Sequence, residues 1–190
     1  MFPIFFVENT WRQTFFQSYR CNTCQTDVLT ETTGEGWTHQ FPVIPDSQLK
    51  GRVCPQCGGD VVQSMRTAKT VWRRPDTQEL LYDILDHPGA LFDNPQGIYD
   101  KLSGQMWFGR DNVSLSVVCP GRNVWNIDSR ASNCDRPHDA GHRCWVRHGG
   151  IGDVSQLHVD KDGYSCNAGA GSIEFPDFHG FLHHGHLVAI

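Results

Sequence analysis

Cys21-Asn22-Thr23-Cys24 and Cys54-Pro55-Gln56-Cys57-Gly58-Gly59 decide how this chain folds. Each C-x-x-C pair predicts a tight turn that aims two sulfurs inward, and the 29 residues between Cys24 and Cys54 let the two turns close four thiolates around one tetrahedral ion. The donor set predicts zinc, held by Cys21, Cys24, Cys54 and Cys57. Pro55 presets a negative φ, and Gly58 and Gly59 supply the positive φ that a backbone wrapped around sulfur needs. The competing reading is two unrelated pairs of structural or redox cysteines.

Length makes a metal matter. A chain of 190 residues divides into one domain or two small ones. A piece of about 80 residues buries only a modest core, so an ion would add materially to its stability. Sixteen basic against 21 acidic residues leave a formal charge of −5, which excludes a global positive field for nucleic acid or anionic lipid. Residues 1–7 form a short apolar run stopped by Glu8, which predicts neither a cleaved leader nor a membrane span. The expected setting is intracellular with reduced thiols, so Cys119, Cys134, Cys144 and Cys166 need an account other than disulfides.

Composition divides the chain into a zinc-ribbon domain over 1–66, a helical connector over 67–108 and a Gly/His-rich β domain over 109–190. Phe2, Ile4, Phe6, Trp11, Phe15 and Phe16 suit strands packed against the ribbon. Lys69, Arg73 and Arg74 around Val71 and Trp72 could touch phosphate and stack a base, or form a strand edge. Asp76-Thr77-Gln78-Glu79 resembles a capping box ahead of Leu80, Leu81, Ile84 and Leu85, which predicts a short amphipathic helix ending at His87-Pro88-Gly89. Asn94-Pro95 predicts a second helical turn. Beyond residue 108 lie eight of the ten histidines and eleven of the nineteen glycines. Alternation there predicts hairpins at 114–128, 157–166 and 181–190 and a strand at 142–148, with Cys144 and Val146 facing inward. The fold class expected is mainly β: zinc ribbon, short helical connector, and a small antiparallel β-sandwich or half-barrel.

Two constellations could carry chemistry in the last 82 residues. The run Cys166-Asn167-Ala168-Gly169-Ala170-Gly171-Ser172 puts small residues before a serine, where backbone N–H groups can crowd a substrate oxygen. Ser172 and His179 are the nucleophile and base this predicts, with Asp128 or Asp177 to orient the imidazole. The glycines alternatively serve a tight turn with Ser172 opening a strand. The second constellation is Cys134, His142, Cys144, His148 and Cys166, residue types that zinc accepts, set against buried thiols packing as small hydrophobes.

Trp125-Asn-Ile-Asp-Ser-Arg-Ala-Ser-Asn-Cys134, His142-Arg-Cys-Trp-Val-Arg-His-Gly149, Cys166-Asn-Ala-Gly-Ala-Gly-Ser-Ile173 and His179-Gly-Phe-Leu-His-His-Gly185 resemble an uncharacterised group of small tailed-phage proteins, over roughly residues 109–190. More distantly, Ser172-Ile173 followed by His179-x-Phe-x-x-x-Gly is similar to small phage and bacterial domains, some near ubiquitin-like conjugation genes and regarded as peptidases. Gly171 and Phe178 depart from that pattern, which has Pro before the serine and Cys before the histidine. The resemblance implies a Ser/His peptidase or isopeptidase acting on a peptide conjugate, in the host cytoplasm or the virion. The alternatives are a zinc-stabilised virion or assembly component that docks on a protein partner, and a nucleic-acid-binding adaptor.

Overall fold

A computed structural model describes residues 1–37, 52–101, 103–129, 145–160 and 172–190, and these are mainly β. Strands β1 (Phe2–Pro3) and β2 (Phe5–Phe6) precede the long β3 (Glu8–Cys21), β4 (Asp27–Trp37) and β5 (Val61–Arg73). Short strands follow: β6 (Leu80–Leu81), β7 (Ala90–Asp93), β8 (Ile98–Asp100) and β9 (Gln105–Trp107). Next come β10 (Leu115–Cys119), β11 (Asn123–Asn126), β12 (Val146–Gly150) and β13 (Asp153–Asp160). The chain ends with β14 (Ile173–Phe175), β15 (Phe178–His183) and β16 (His186–Ala189). Among the described residues no helix is long and apolar enough to cross a membrane.

The strands sort into two compact units. One comprises Asn9–Arg73 with Leu80–Asp83; the other comprises Met1–Glu8, Arg74–Glu79 and Ile84–Ile190. This division is cut differently from 1–66, 67–108 and 109–190. Residues 1–8 and most of the expected connector fall with the C-terminal half.

In the first unit β4, β3, β5 and β6 form one sheet in that order. Period-two alternation along β3 buries Phe15, Gln17, Tyr19 and Cys21 on a single face. The strand therefore delivers its last residue, a cysteine, into the same apolar layer as its aromatics. Tyr19, Cys21, Cys54 and Val61 form that small core, with Val28 packed against it.

In the second unit one sheet has the order β1-β16-β15-β14 and another β11-β10-β7-β2. Leu115, Val117 and Leu91 from one and Ile173, Phe178, Leu182 and Leu187 from the other share a single core with Leu157 and Val159 of β13. The hairpins expected near 114–128 and 181–190 are present: β10 pairs antiparallel with β11, and β15 with β16. His184 and Gly185 between the latter two strands both have positive φ, 40° and 71°, the backbone of a two-residue primed turn. The strand at 157–159 pairs through β13 with β12; residues 161–166, the other arm expected of it, lie outside the described residues.

Three expectations are corrected. Residues 67–108 are not a helical connector: among the described residues they are strands and turns, with one 3-10 turn at Ile84–Asp86. The 76–79 pattern closes a hairpin instead of capping a helix, since Arg74 N–H reaches the Glu79 carbonyl, Gln78 sits at φ 63° and Arg73 then pairs with Leu80. Asn94 likewise starts a turn, with Gly97 N–H on its carbonyl and its side-chain amide donating to Ser116 Oγ at 2.7 Å. The first aromatics do not serve the ribbon either: Phe2 pairs with Leu187, Phe5 with Ala90, and Ile4 enters the second core. At β12, Trp145 just before the strand packs on the core and the Arg147 side chain is drawn under by an acidic partner, while Val146 is only half-buried. Cys144 lies outside the described residues.

Pro88-Gly89 marks where the N-terminal segment passes. Gly89 has φ +97°, and a Cβ there would lie 2.1 Å from the Pro3 carbonyl oxygen. Gly104, at φ +69°, faces open space. A side chain at a left-handed position costs about 1–2 kcal/mol. Gly104→Ala should lose about that much, and Gly89→Ala measurably more, because backbone must also shift. Urea midpoints of the two variants check this ordering.

Candidate functional site

The two knuckles are built by backbone hydrogen bonds to their own turns. Cys21 N–H bonds the Thr26 carbonyl and Gln25 N–H returns to Cys21; in the second, Cys54 N–H bonds the Gly59 carbonyl and Gly58 N–H returns to Cys54. Each turn is followed by a left-handed residue, Gln25 at φ 59° and Gly58 at φ 70°. A Val53–Asp60 bridge closes the base of the second knuckle, and Asn22 N–H on the Asp60 carbonyl ties it to the first. The glycine foreseen at 58 is thus matched by a glutamine at 25.

This framework brings all four sulfurs within 4.8 Å of one another. Cys21 Sγ lies 3.4 Å from Cys57 Sγ, and Cys24 Sγ 3.7 Å from Cys54 Sγ. Tetrahedral coordination at about 2.3 Å per sulfur separates ligands by about 3.8 Å, so the set could hold a metal ion with little movement. The thiols are not equivalent. The Thr26 hydroxyl and amide lower Cys24 to about 6, and the Cys24 amide lowers Cys21. At Cys57 the Gly59 amide lowers the value, but bonds to Cys21 and Cys24 outweigh it and push it up to about 12. Burial pushes the Cys119 thiol up to about 12 against the lowering effect of the Trp125 amide, as for a cysteine packing as a small hydrophobe.

Ser172 and His179 also meet. β14 and β15 form a tight hairpin in which Glu174 stands opposite His179, so Ser172, two residues earlier on the same side, is diagonal to the imidazole. Ser172 Oγ lies 2.6 Å from His179 Nε2, and both are solvent-accessible. Neither aspartate completes a triad. Asp128 is buried and accepts from Leu115 N–H at 2.9 Å and Arg147 Nε at 3.0 Å, so it is committed to holding β10 and β12. Asp177 abuts Gly121, and among the described residues no carboxylate is hydrogen-bonded to His179. Residues 166–171, which would supply oxyanion donors, lie outside the described residues. So do Cys134, His142, Cys144 and Cys166 of the second constellation; His148, the remaining member, sits on β12 beside Asp160.

Two of the three cations considered for nucleic acid have carboxylate partners. Lys69 Nζ is 2.6 Å from Asp83, and Arg74 holds Asp76 with two nitrogens while stacking over Phe5. A cavity of about 610 Å³ lies beside that stack, lined by Ile4, Phe6, Pro75, Ile151 and Val154 among others, and a smaller one of about 170 Å³ lies at Arg147. Neither includes Ser172 or His179. No family model, curated protein or solved structure matches the chain.

Arg147 is the residue that sequence alone gave no reason to single out. It bonds Asp128, Asp111 and the Gly149 carbonyl while its side chain is only 7 % exposed. Removing one partner of such a pair leaves an uncompensated buried charge, at about 3–5 kcal/mol. Arg147→Met should lower stability by that order, and adding Asp128→Asn should recover part of it. Denaturant titration of the single and double variants measures both.

Proposed function

We propose that Cys21, Cys24, Cys54 and Cys57 bind one zinc ion as a structural centre. The observation that carries this is the convergence of four sulfurs from two separately hydrogen-bonded knuckles. Thiolate donors in tetrahedral number favour zinc over harder ions such as magnesium or calcium. Four protein ligands leave no position for water, so the ion stabilises a fold and performs no hydrolysis itself. Two of the ligands, Cys21 and Cys54, belong to the small core of their unit, which couples metal binding to folding.

Chemistry, on this reading, belongs to Ser172 and His179 in the other unit. The 2.6 Å contact supports a nucleophile and base already in hydrogen-bond reach. His179 Nε2 would take the hydroxyl proton as Ser172 Oγ attacks a carbonyl carbon, then return it to the departing amine. Water would release the acyl group by the same route. The substrate class proposed is a peptide or isopeptide bond, approaching the hairpin on which His179 stands exposed. The second reading is a zinc-stabilised phage virion or assembly component; the missing orienting carboxylate among the described residues favours it.

Two measurements divide these readings. Metal analysis should find a zinc ion that is lost in the Cys24→Ser, Cys57→Ser double variant, together with a fall in the melting temperature of the knuckle unit. An unchanged zinc content and melt would overturn the structural centre. Ser172→Ala and His179→Ala should each lower cleavage of a ubiquitin-like or phage-derived peptide conjugate by orders of magnitude, with far-UV circular dichroism unchanged. A wild type that cleaves no such conjugate leaves the virion or assembly role.

A further inference from the structure

Away from both sites, β12 and β13 bring two imidazoles and a carboxylate to one face. The register sets His148 opposite His158 and Val146 opposite Asp160. His158 and Asp160, two apart on β13, share a side, and the directly opposed His148 shares it too. The two rings stack at 4.7 Å with an interplanar angle of 16°. Asp160 is 1 % exposed, with one oxygen 3.2 Å from His148 Nε2 and the other 3.8 Å from His158 Nε2. One ligand atom from each residue lies within 4.8 Å of the others.

The hydrogen bond on the far side of His158 distinguishes this cluster from an ordinary ion pair. His158 Nδ1 is 2.8 Å from the Gln156 carbonyl, an acceptor, so Nδ1 carries the proton. In the neutral ring, Nε2 then presents its lone pair toward a carboxylate oxygen at 3.8 Å, too far for a hydrogen bond. A divalent cation seated between the two would bind both lone pairs at once. A carbonyl on the distal nitrogen is also the usual orienting partner of a metal-bound imidazole. For bonds of about 2.0–2.2 Å, tetrahedral ligands stand about 3.3–3.5 Å apart, which falls between the two distances found.

We propose that His148 Nε2, His158 Nε2 and the Asp160 carboxylate bind a divalent transition-metal ion, zinc or iron(II), at a second site. Two nitrogens and one oxygen form a harder donor set than four sulfurs, so the two centres differ in metal preference. Three protein ligands leave at least one coordination position for water or a further ligand, unlike the closed cysteine site. The His184 ring, centred 4.5 Å from that of His158, borders the same face.

The test uses the full chain, freed of metal, then incubated without oxygen with excess zinc or iron(II) and passed over a weak chelating resin. Under zinc, the wild type should retain two ions per chain, the Cys24→Ser, Cys57→Ser variant one, and His158→Gln one. Iron(II) should favour the His/Asp site, and titration should put its affinity at least tenfold lower in His158→Gln. His148→Gln provides a second variant, and circular dichroism checks that each remains folded. One zinc ion per wild-type chain, lost entirely with the cysteines, would overturn the proposal. So would two ions held with unchanged affinity in both folded histidine variants.

Discussion

Four sulfur atoms drawn within 4.8 Å of one another are a poor arrangement for free thiolates and a good one for a cation. Negative charges this close oppose each other's ionisation, while the Thr26 hydroxyl and amide hold Cys24 down at about 6 and bonds to Cys21 and Cys24 hold Cys57 up at about 12. A zinc ion would resolve it by accepting all four as ligands. The surrounding unit leans on the same atoms, because one of its core clusters joins Tyr19 and Val61 to two of the cysteines. Cys21 reaches that layer only because the alternation of β3 brings Phe15, Gln17 and Tyr19 to the same face. Sheet periodicity and the convergence of the four sulfurs thus call for the same register of this strand.

The second unit achieves order by a different route. Its two four-stranded sheets supply a continuous core, and its polar interior is closed by Arg147 on Asp128. The N-terminal segment adds an edge strand to each sheet, β1 on β16 and β2 on β7. Gly89 is required where that segment crosses, since the Pro3 carbonyl occupies the space of a side chain. The hairpins at the surface are left to present polar groups, Ser172 with His179 on one and His148, His158 and Asp160 on another.

What could be read from the sequence was local. The C-x-x-C spacing within each knuckle, the β10–β11 and β15–β16 hairpins, and the pairing of Ser172 with His179 all depend on short separations. Long separations defeated it. Nothing near Phe2 points to Leu187. The 76–79 pattern misled for another reason. An Asp with a Glu three residues on satisfies a helix cap and a tight turn equally well, and Gln78 at φ 63° selects the turn. The histidine cluster was half visible: His148 stood out by composition, but its companions His158 and Asp160 are set by register alone.

X-ray absorption at the zinc edge, on chains carrying one equivalent of zinc, measures the central claim at its source. A single shell of four sulfurs at about 2.3 Å is the result expected. A first shell dominated by nitrogen or oxygen at about 2.0–2.1 Å would contradict it, since the four cysteines would then not be the preferred site of the ion.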